Sequence, residues 1–167
     1  GARIATGSAR RQAQLAHMRP DLKFTGLRGN METRIAVAER DDVDAVIVAM
    51  AALQRLGFTG SAAEVFSVEE MIHQVGQGAI ALECRDDDLA INEQLLGISD
   101  DATRRCVEAE RAFLAELGGG CELPVGAYAY LEEGIIQLAA VLAARDGTTV
   151  LRTQKRGDDA HALGKAV

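Results

Sequence analysis

The sequence predicts two units in series: a mainly parallel α/β sheet, then a small α+β unit built on three antiparallel strands. Three observations lead there. Short apolar runs alternate with amphipathic stretches over the first 57 residues, the pattern of strand–helix–strand repeats. The run Asp44-Ala45-Val46-Ile47-Val48-Ala49 is continuously apolar, as in a strand covered on both faces. After residue 124, apolar runs are separated by the compact turns Glu132-Glu133-Gly134 and Asp146-Gly147, which suit hairpins.

Each element follows in order. Arg3–Thr6 is a short strand, and Ser8 is placed to cap a helix from Ala9 to about Met18, which Pro20 ends. Leu22–Leu27 is a second strand. Asn30 caps a second helix, Met31 to about Arg40, and the strand at 44–49 leads into a third helix that stops at Gly57. Residues 58–74 connect without clear periodicity. Val75-Gly76-Gln77-Gly78-Ala79 then leads into an expected strand, Ile80–Cys84. A lone GxG signals a tight turn, or a backbone that approaches a ligand closely. Asp86-Asp87-Asp88 is too short for a calcium loop and starts a helix to Leu96. Ala102–Leu117 is an amphipathic helix, with Cys106, Ala109, Phe113 and Leu117 on one stripe. Val125–Leu131, Ile135–Ala143 and Thr149–Lys155 are strands, and Asp158 opens a final helix. Expected boundaries are residues 1–74, a returning segment 75–98, and 99–167.

Nearly half of the 167 residues are apolar, enough for a real core, but Trp is absent and aromatics are 4%. No apolar run approaches membrane-span length and no signal-peptide pattern is visible. The three cysteines, Cys84, Cys106 and Cys121, form no CxxC, and with three His no zinc pattern appears. This cysteine usage suits a reducing cytoplasm.

The net charge of −7 is unevenly spread: +3 over residues 1–55 and −10 over the remainder. Fifteen of the eighteen basic residues are Arg. A guanidinium presents a planar fork to carboxylates and phosphates, so the first third is suited to an anionic ligand. Overall acidity, without Lys runs, excludes a typical nucleic-acid groove. In an open parallel sheet ligands sit beyond the carboxyl ends of the strands. Thr6, Ser8, Arg10 and Arg11 follow the first strand, Arg28 ends the second, Arg34 lies one turn into the next helix, and Arg55 is on the helix after the third. Solvated surface arginines paired with acids would give the same list. Arg3, Arg19 and Arg40 fall at element ends and read as structural.

Gly118-Gly119-Gly120-Cys121 follows the long helix. One glycine is enough to stop a helix; three predict a loop that carries the thiol clear of it. Spacing alone does not separate a reactive cysteine from an incidental one.

Together, Thr6-Gly7-Ser8-Ala9-Arg10-Arg11-Gln12-Ala13-Gln14-Leu15, Leu27-Arg28-Gly29-Asn30, Thr33-Arg34, Gln54-Arg55-Leu56-Gly57, Val75-Gly76-Gln77-Gly78-Ala79 and Gly118-Gly119-Gly120-Cys121 resemble the porphobilinogen deaminase (hydroxymethylbilane synthase) family. The resemblance covers the whole chain in order. It implies a periplasmic-binding-protein-like, doubly wound middle domain and a transferase of porphyrin and heme biosynthesis. That enzyme joins four porphobilinogen units, with loss of ammonia, into hydroxymethylbilane. The units grow on a dipyrromethane cofactor held by a thioether to the cysteine matching Cys121. The resemblance makes Arg10, Arg11, Arg28, Arg34 and Arg55 the residues that bind acetate and propionate groups of cofactor, porphobilinogen and growing oligopyrrole. Thr6, Ser8, Gln77 and Gly78 line the same cleft. Ala9, Ala52 and Gln54 stand where the family usually has Leu, Gly and Lys. The family's N-terminal domain and its acid–base aspartate have no counterpart here. The chain is therefore expected to be inactive alone and to need that domain, either as part of a longer polypeptide or as a second chain. No nucleic acid or membrane partner is implied. The competing expectation is a non-catalytic module that holds a polycarboxylate through its arginines.

Overall fold

The computed structural model describes residues 1–118 and 123–167. Residues 119–122, Cys121 among them and with it the expected glycine-rich loop, lie outside the described residues.

A parallel three-stranded sheet organises the first part: β1 (Arg3–Ala5), β2 (Lys23–Thr25) and β3 (Ala45–Val46), in the order β2-β1-β3. Helix α1 (Ala9–Met18) links β1 to β2, α2 (Met31–Val37) links β2 to β3, and α3 (Met50–Leu56) follows β3. The caps form as expected: Ser8 accepts from the Arg11 amide and Asn30 from the Thr33 amide. Ala5, Leu27 and Val43 form a small core, flanked by Val37 and Val46.

The second part is an antiparallel sheet, β4 (Val125–Glu132), β5 (Ile135–Ala143) and β6 (Val150–Gly157), with β5 central. Glu133 and Gly134 both have positive φ (51° and 83°), the two-residue hairpin geometry that pairs Glu132 with Ile135. Helices α4 (Leu89–Leu96) and α5 (Asp101–Glu116) precede the sheet, and α6 (Ala160–Ala166) follows it. The core of this part joins Ala109 and Phe113 of α5, Val125, Ala127 and Ala129 of β4, Ile136, Leu138 and Ala140 of β5, and Leu163 of α6.

Helix α1 ties the two sheets. Gly147, in the β5–β6 turn, lies so close to α1 that a Cβ there would come within 2.7 Å of the Ala13 carbonyl oxygen. Buried Gln14 bonds Ile72 on both sides, donating to its carbonyl (2.9 Å) and accepting from its amide (3.0 Å). Arg152 of β6 donates to the same Gln14 oxygen at 3.0 Å. Among the described residues no helix is long and apolar enough to cross a membrane.

Three expectations are corrected. Residues 80–84 form no strand, and Ile80 and Leu82 are exposed. A strand exists through hydrogen bonds to a neighbour, and no described strand lies beside this segment. The third strand has only two residues, each half-buried, not six covered on both faces. It is the edge of its sheet, with β1 on one side only. Helix α2 ends at Val37, and residues 38–40 turn instead of continuing to Arg40.

Candidate functional site

The three parallel strands all point their carboxyl ends at one cleft of about 700 Å³. Thr6, Gly7 and Ser8 enter it from β1, Gly26, Leu27 and Arg28 from β2, and Ile47 from β3. The rim of an open parallel sheet is where ligands bind, because loops and helix N-termini converge there. Buried Thr6 receives the Ser8 amide on its hydroxyl at 3.2 Å, which shapes the turn into α1. The first turn of α1 then presents Arg10 and Arg11.

Arg11 is the best-defined of the cations. Its guanidinium donates to the Ile47 carbonyl at 3.2 Å and to Gln77 Oε1 at 3.4 Å. Burial lowers its pKa, and repulsion from nearby Arg34 lowers it further. Both arginines line the same cleft, where no Asp or Glu stands among the described residues. Arg34 is braced by the Gly29 carbonyl at 2.8 Å. Arg10 is buried, and its Nε donates to the carbonyl of Val125, four positions after Cys121.

The arginines divide by partner. Arg3, Arg19 and Arg40 form ion pairs with Asp44, Asp21 and Asp42, at 3.3, 2.8 and 2.7 Å. Among the described residues Arg11, Arg28, Arg34 and Arg55 form none, and no Asp or Glu lines the cleft. Guanidinium forks on a cleft wall with no Asp or Glu among its described lining residues suit an anion supplied from outside.

The structure brings Thr6, Ser8, Arg10, Arg11, Arg28, Arg34 and Gln77 together on this cleft. It does not place Arg55 or Gly78 in the lining; Arg55 instead donates to the Gly78 carbonyl at 2.9 Å. Gly76 and Gly78 both have positive φ (69° and 93°), and a Cβ at Gly78 would meet nothing within 4 Å. Those glycines are there for the turn itself, not for close packing. Cys84 and Cys106 are both free thiols. Cys106 packs against the core, and burial raises its pKa, which keeps the unreactive thiol form.

Sequence reasoning missed Glu110 and Gln14. Glu110 is 4% exposed, and its two carboxylate oxygens accept from the Gly76 amide (2.6 Å) and the Ala129 amide (2.8 Å). The signal was an acid four residues after Cys106 and three before Phe113, inside an apolar stripe.

The family model described as "Porphobilinogen deaminase, dipyromethane cofactor binding domain" matches residues 1–93, more than half of the chain. The model for the C-terminal domain of the same enzyme matches residues 104–167. The chain belongs to the porphobilinogen deaminase family. It is 43% identical to the porphobilinogen deaminase of Roseiflexus sp. (strain RS-1) over 164 residues, 98% of this chain and 54% of the relative. It is 45% identical to that of Carboxydothermus hydrogenoformans over 94% of this chain and 50% of the relative, and 40% identical to that of Geobacillus kaustophilus over 99% and 54%. The chain spans about half the length of these porphobilinogen deaminases. The part it spans includes the cofactor-binding domain as the family model describes it.

Proposed function

We propose that this chain is the carboxylate-binding and cofactor-carrying part of a cytoplasmic porphobilinogen deaminase. The enzyme would condense four porphobilinogen units to hydroxymethylbilane with loss of ammonia, in tetrapyrrole biosynthesis. The observation that carries this reading is the cleft wall: Arg11, Arg28 and Arg34, which among the described residues have no acid partner and share the rim with no carboxylate. Every pyrrole unit brings carboxylate side chains, and rigid guanidinium forks bind those in register.

The same donors fit a dipyrromethane group. Arg10, Arg11 and Arg34, with Thr6, Ser8, Gln77 and Gly78, would hold its carboxylates, and Arg28 and Arg55 would serve incoming units. The group would be attached through Cys121, and when bound it supplies the pyrrole terminus at which units are joined. The chain's own residues bind and orient. Arg11 is aimed by Ile47 and Gln77. Arg10 ties the cleft to the start of β4, the strand that follows Cys121 in sequence. We further propose residues 1–74 as a doubly wound domain of the periplasmic-binding-protein type, 75–98 as a segment returning to an N-terminal domain, and 99–167 as the cofactor-bearing domain. A non-catalytic polycarboxylate module draws no support from the family matches.

The test is a covalent adduct on Cys121. Intact mass and the colour reaction of pyrroles with an acidic aldehyde reagent should show a pyrrole adduct on the full-length protein. The adduct should vanish in Cys121→Ala and persist in Cys106→Ala. A surviving adduct in Cys121→Ala would sink the assignment.

A further inference from the structure

Glu110 is a buried acid that the cleft chemistry does not use. One oxygen of its carboxylate takes the Gly76 amide at 2.6 Å and the other the Ala129 amide at 2.8 Å. A single side chain of α5 therefore fastens the 75–78 turn to the middle of β4. Within itself that turn has the contacts of a tight turn: Gln77 amide to Gln74 carbonyl (2.9 Å) and Ala79 amide to Gly76 carbonyl (3.2 Å). Its two glycines sit at positive φ, so the backbone conformation alone does not specify where the turn lies.

What the turn carries is the reason to fasten it. Gln77 Oε1 accepts from Arg11 at 3.4 Å, and the Gly78 carbonyl accepts from Arg55 at 2.9 Å. Two of the arginines proposed to bind carboxylates are thus aimed by acceptors on one turn. Burial pushes the Glu110 carboxyl up, while the two amides pull it down. An apolar residue at this stripe position would pack without that conflict.

We infer that Glu110 is a positioning residue: it fixes the Gly76–Gly78 turn against β4, so that Gln77 and Gly78 hold Arg11 and Arg55 in place. The inference rests on the proposed carboxylate-binding role of the cleft, but its first readout is independent of it. The 167-residue chain is compared as wild type, Glu110→Gln, Gln77→Ala and the double variant. Glu110→Gln keeps the shape and turns one acceptor into a donor that faces an N–H. Hydrogen exchange at the Gly76 and Ala129 amides should accelerate by about tenfold or more, the loss of one or two charge-assisted hydrogen bonds. The guanidinium NMR signals of Arg11 and Arg55 should collapse toward those of free arginine, while the amide spectrum of β4–β6 stays dispersed. Porphobilinogen is then titrated. Its Kd should rise about tenfold in Glu110→Gln, and Gln77→Ala on top should add little, because both changes act through one contact.

Unchanged Arg11 and Arg55 signals in a folded Glu110→Gln chain would overturn the inference and leave Glu110 with a purely structural role. So would fully additive Kd effects. If Glu110→Gln does not fold, Glu110→Asp, shorter by one carbon and still charged, is read by the same signals. Absence of porphobilinogen binding to the wild-type chain would count against the proposed cleft function, and the guanidinium signals would still decide the role of Glu110.

Discussion

At Arg11, geometry and charge can be separated by one substitution. Lys keeps the cation but cannot reach the Ile47 carbonyl and Gln77 Oε1 with a planar fork. A hydrogen bond to a charged group is worth roughly 1.5–3 kcal/mol, so Arg11→Lys should weaken porphobilinogen binding or slow turnover by about tenfold or more. Isothermal titration of the full-length variant measures this, and unchanged affinity would count against the site as drawn. His73 gives a second residue-scale prediction. Burial is the main cause that lowers its pKa below the ordinary 6.5, repulsion from Arg10 and Arg11 adds to it, and the hydrogen bond to the Gln74 carbonyl opposes. Its ring also stands edge-on to Tyr128, centroids 5.0 Å apart. The unfolded chain therefore binds the proton more readily than the native one. Stability from neutral His73 is present above pH 6.5 and is lost as pH falls through that value toward the native pKa. Glu110, whose pKa is raised, works in the opposite sense: its contribution is present below the ordinary value of 4.5 and is lost as pH rises. The difference between wild type and His73→Gln isolates the first effect. Urea midpoints at pH 7.5 and 5.5 should fall more on acidification for wild type than for the variant. Equal falls would refute it.

Among the elements, β5 bears the C-terminal part. It is central in its sheet, Ile136 and Leu138 have no exposed surface, and α5 and α6 cover the same face. Leu138→Ala should cost about 2–5 kcal/mol, since the close packing leaves a cavity that cannot collapse. Chemical denaturation reads this directly, and a loss below about 1 kcal/mol would show the core to be loosely packed. By contrast, residues 80–84 show why an apolar run is not itself an element. The residue types suit a strand, yet no described strand lies beside them, and Ile80 and Leu82 stay exposed. The two-residue β3 shows the same dependence, because a strand is only as long as its neighbour's matching edge.

For the whole molecule, two features meet. The cleft holds cations and no carboxylate among the described residues. Ile80, Leu82, Leu89, Leu96 and Ile98 stand exposed along one stretch. Deaminating porphobilinogen needs a group that stabilises positive charge and moves a proton, for which a carboxylate near the reacting nitrogen serves. Asp86, Asp87 and Asp88 do not supply it: Asp88 caps α4, and none of the three lines the cleft. The isolated 167-residue chain should therefore consume no porphobilinogen, and activity should return when the remaining length of the family enzyme is added in trans. Turnover by the chain alone would place the acid–base group within it. The sequence by itself determined the strand–helix alternation, the capped helices, the three antiparallel strands and the residues that meet at the strand ends. These follow from local periodicity and capping chemistry, which act over a few residues. Only the tertiary structure decided that Arg11 is aimed by Gln77, that Arg55 donates to the Gly78 carbonyl, that Glu110 accepts from the Gly76 and Ala129 amides, and that no described strand lies beside residues 80–84. Each of these depends on partners 19 to 66 positions apart, or on whether a strand lies alongside, and no local pattern encodes either.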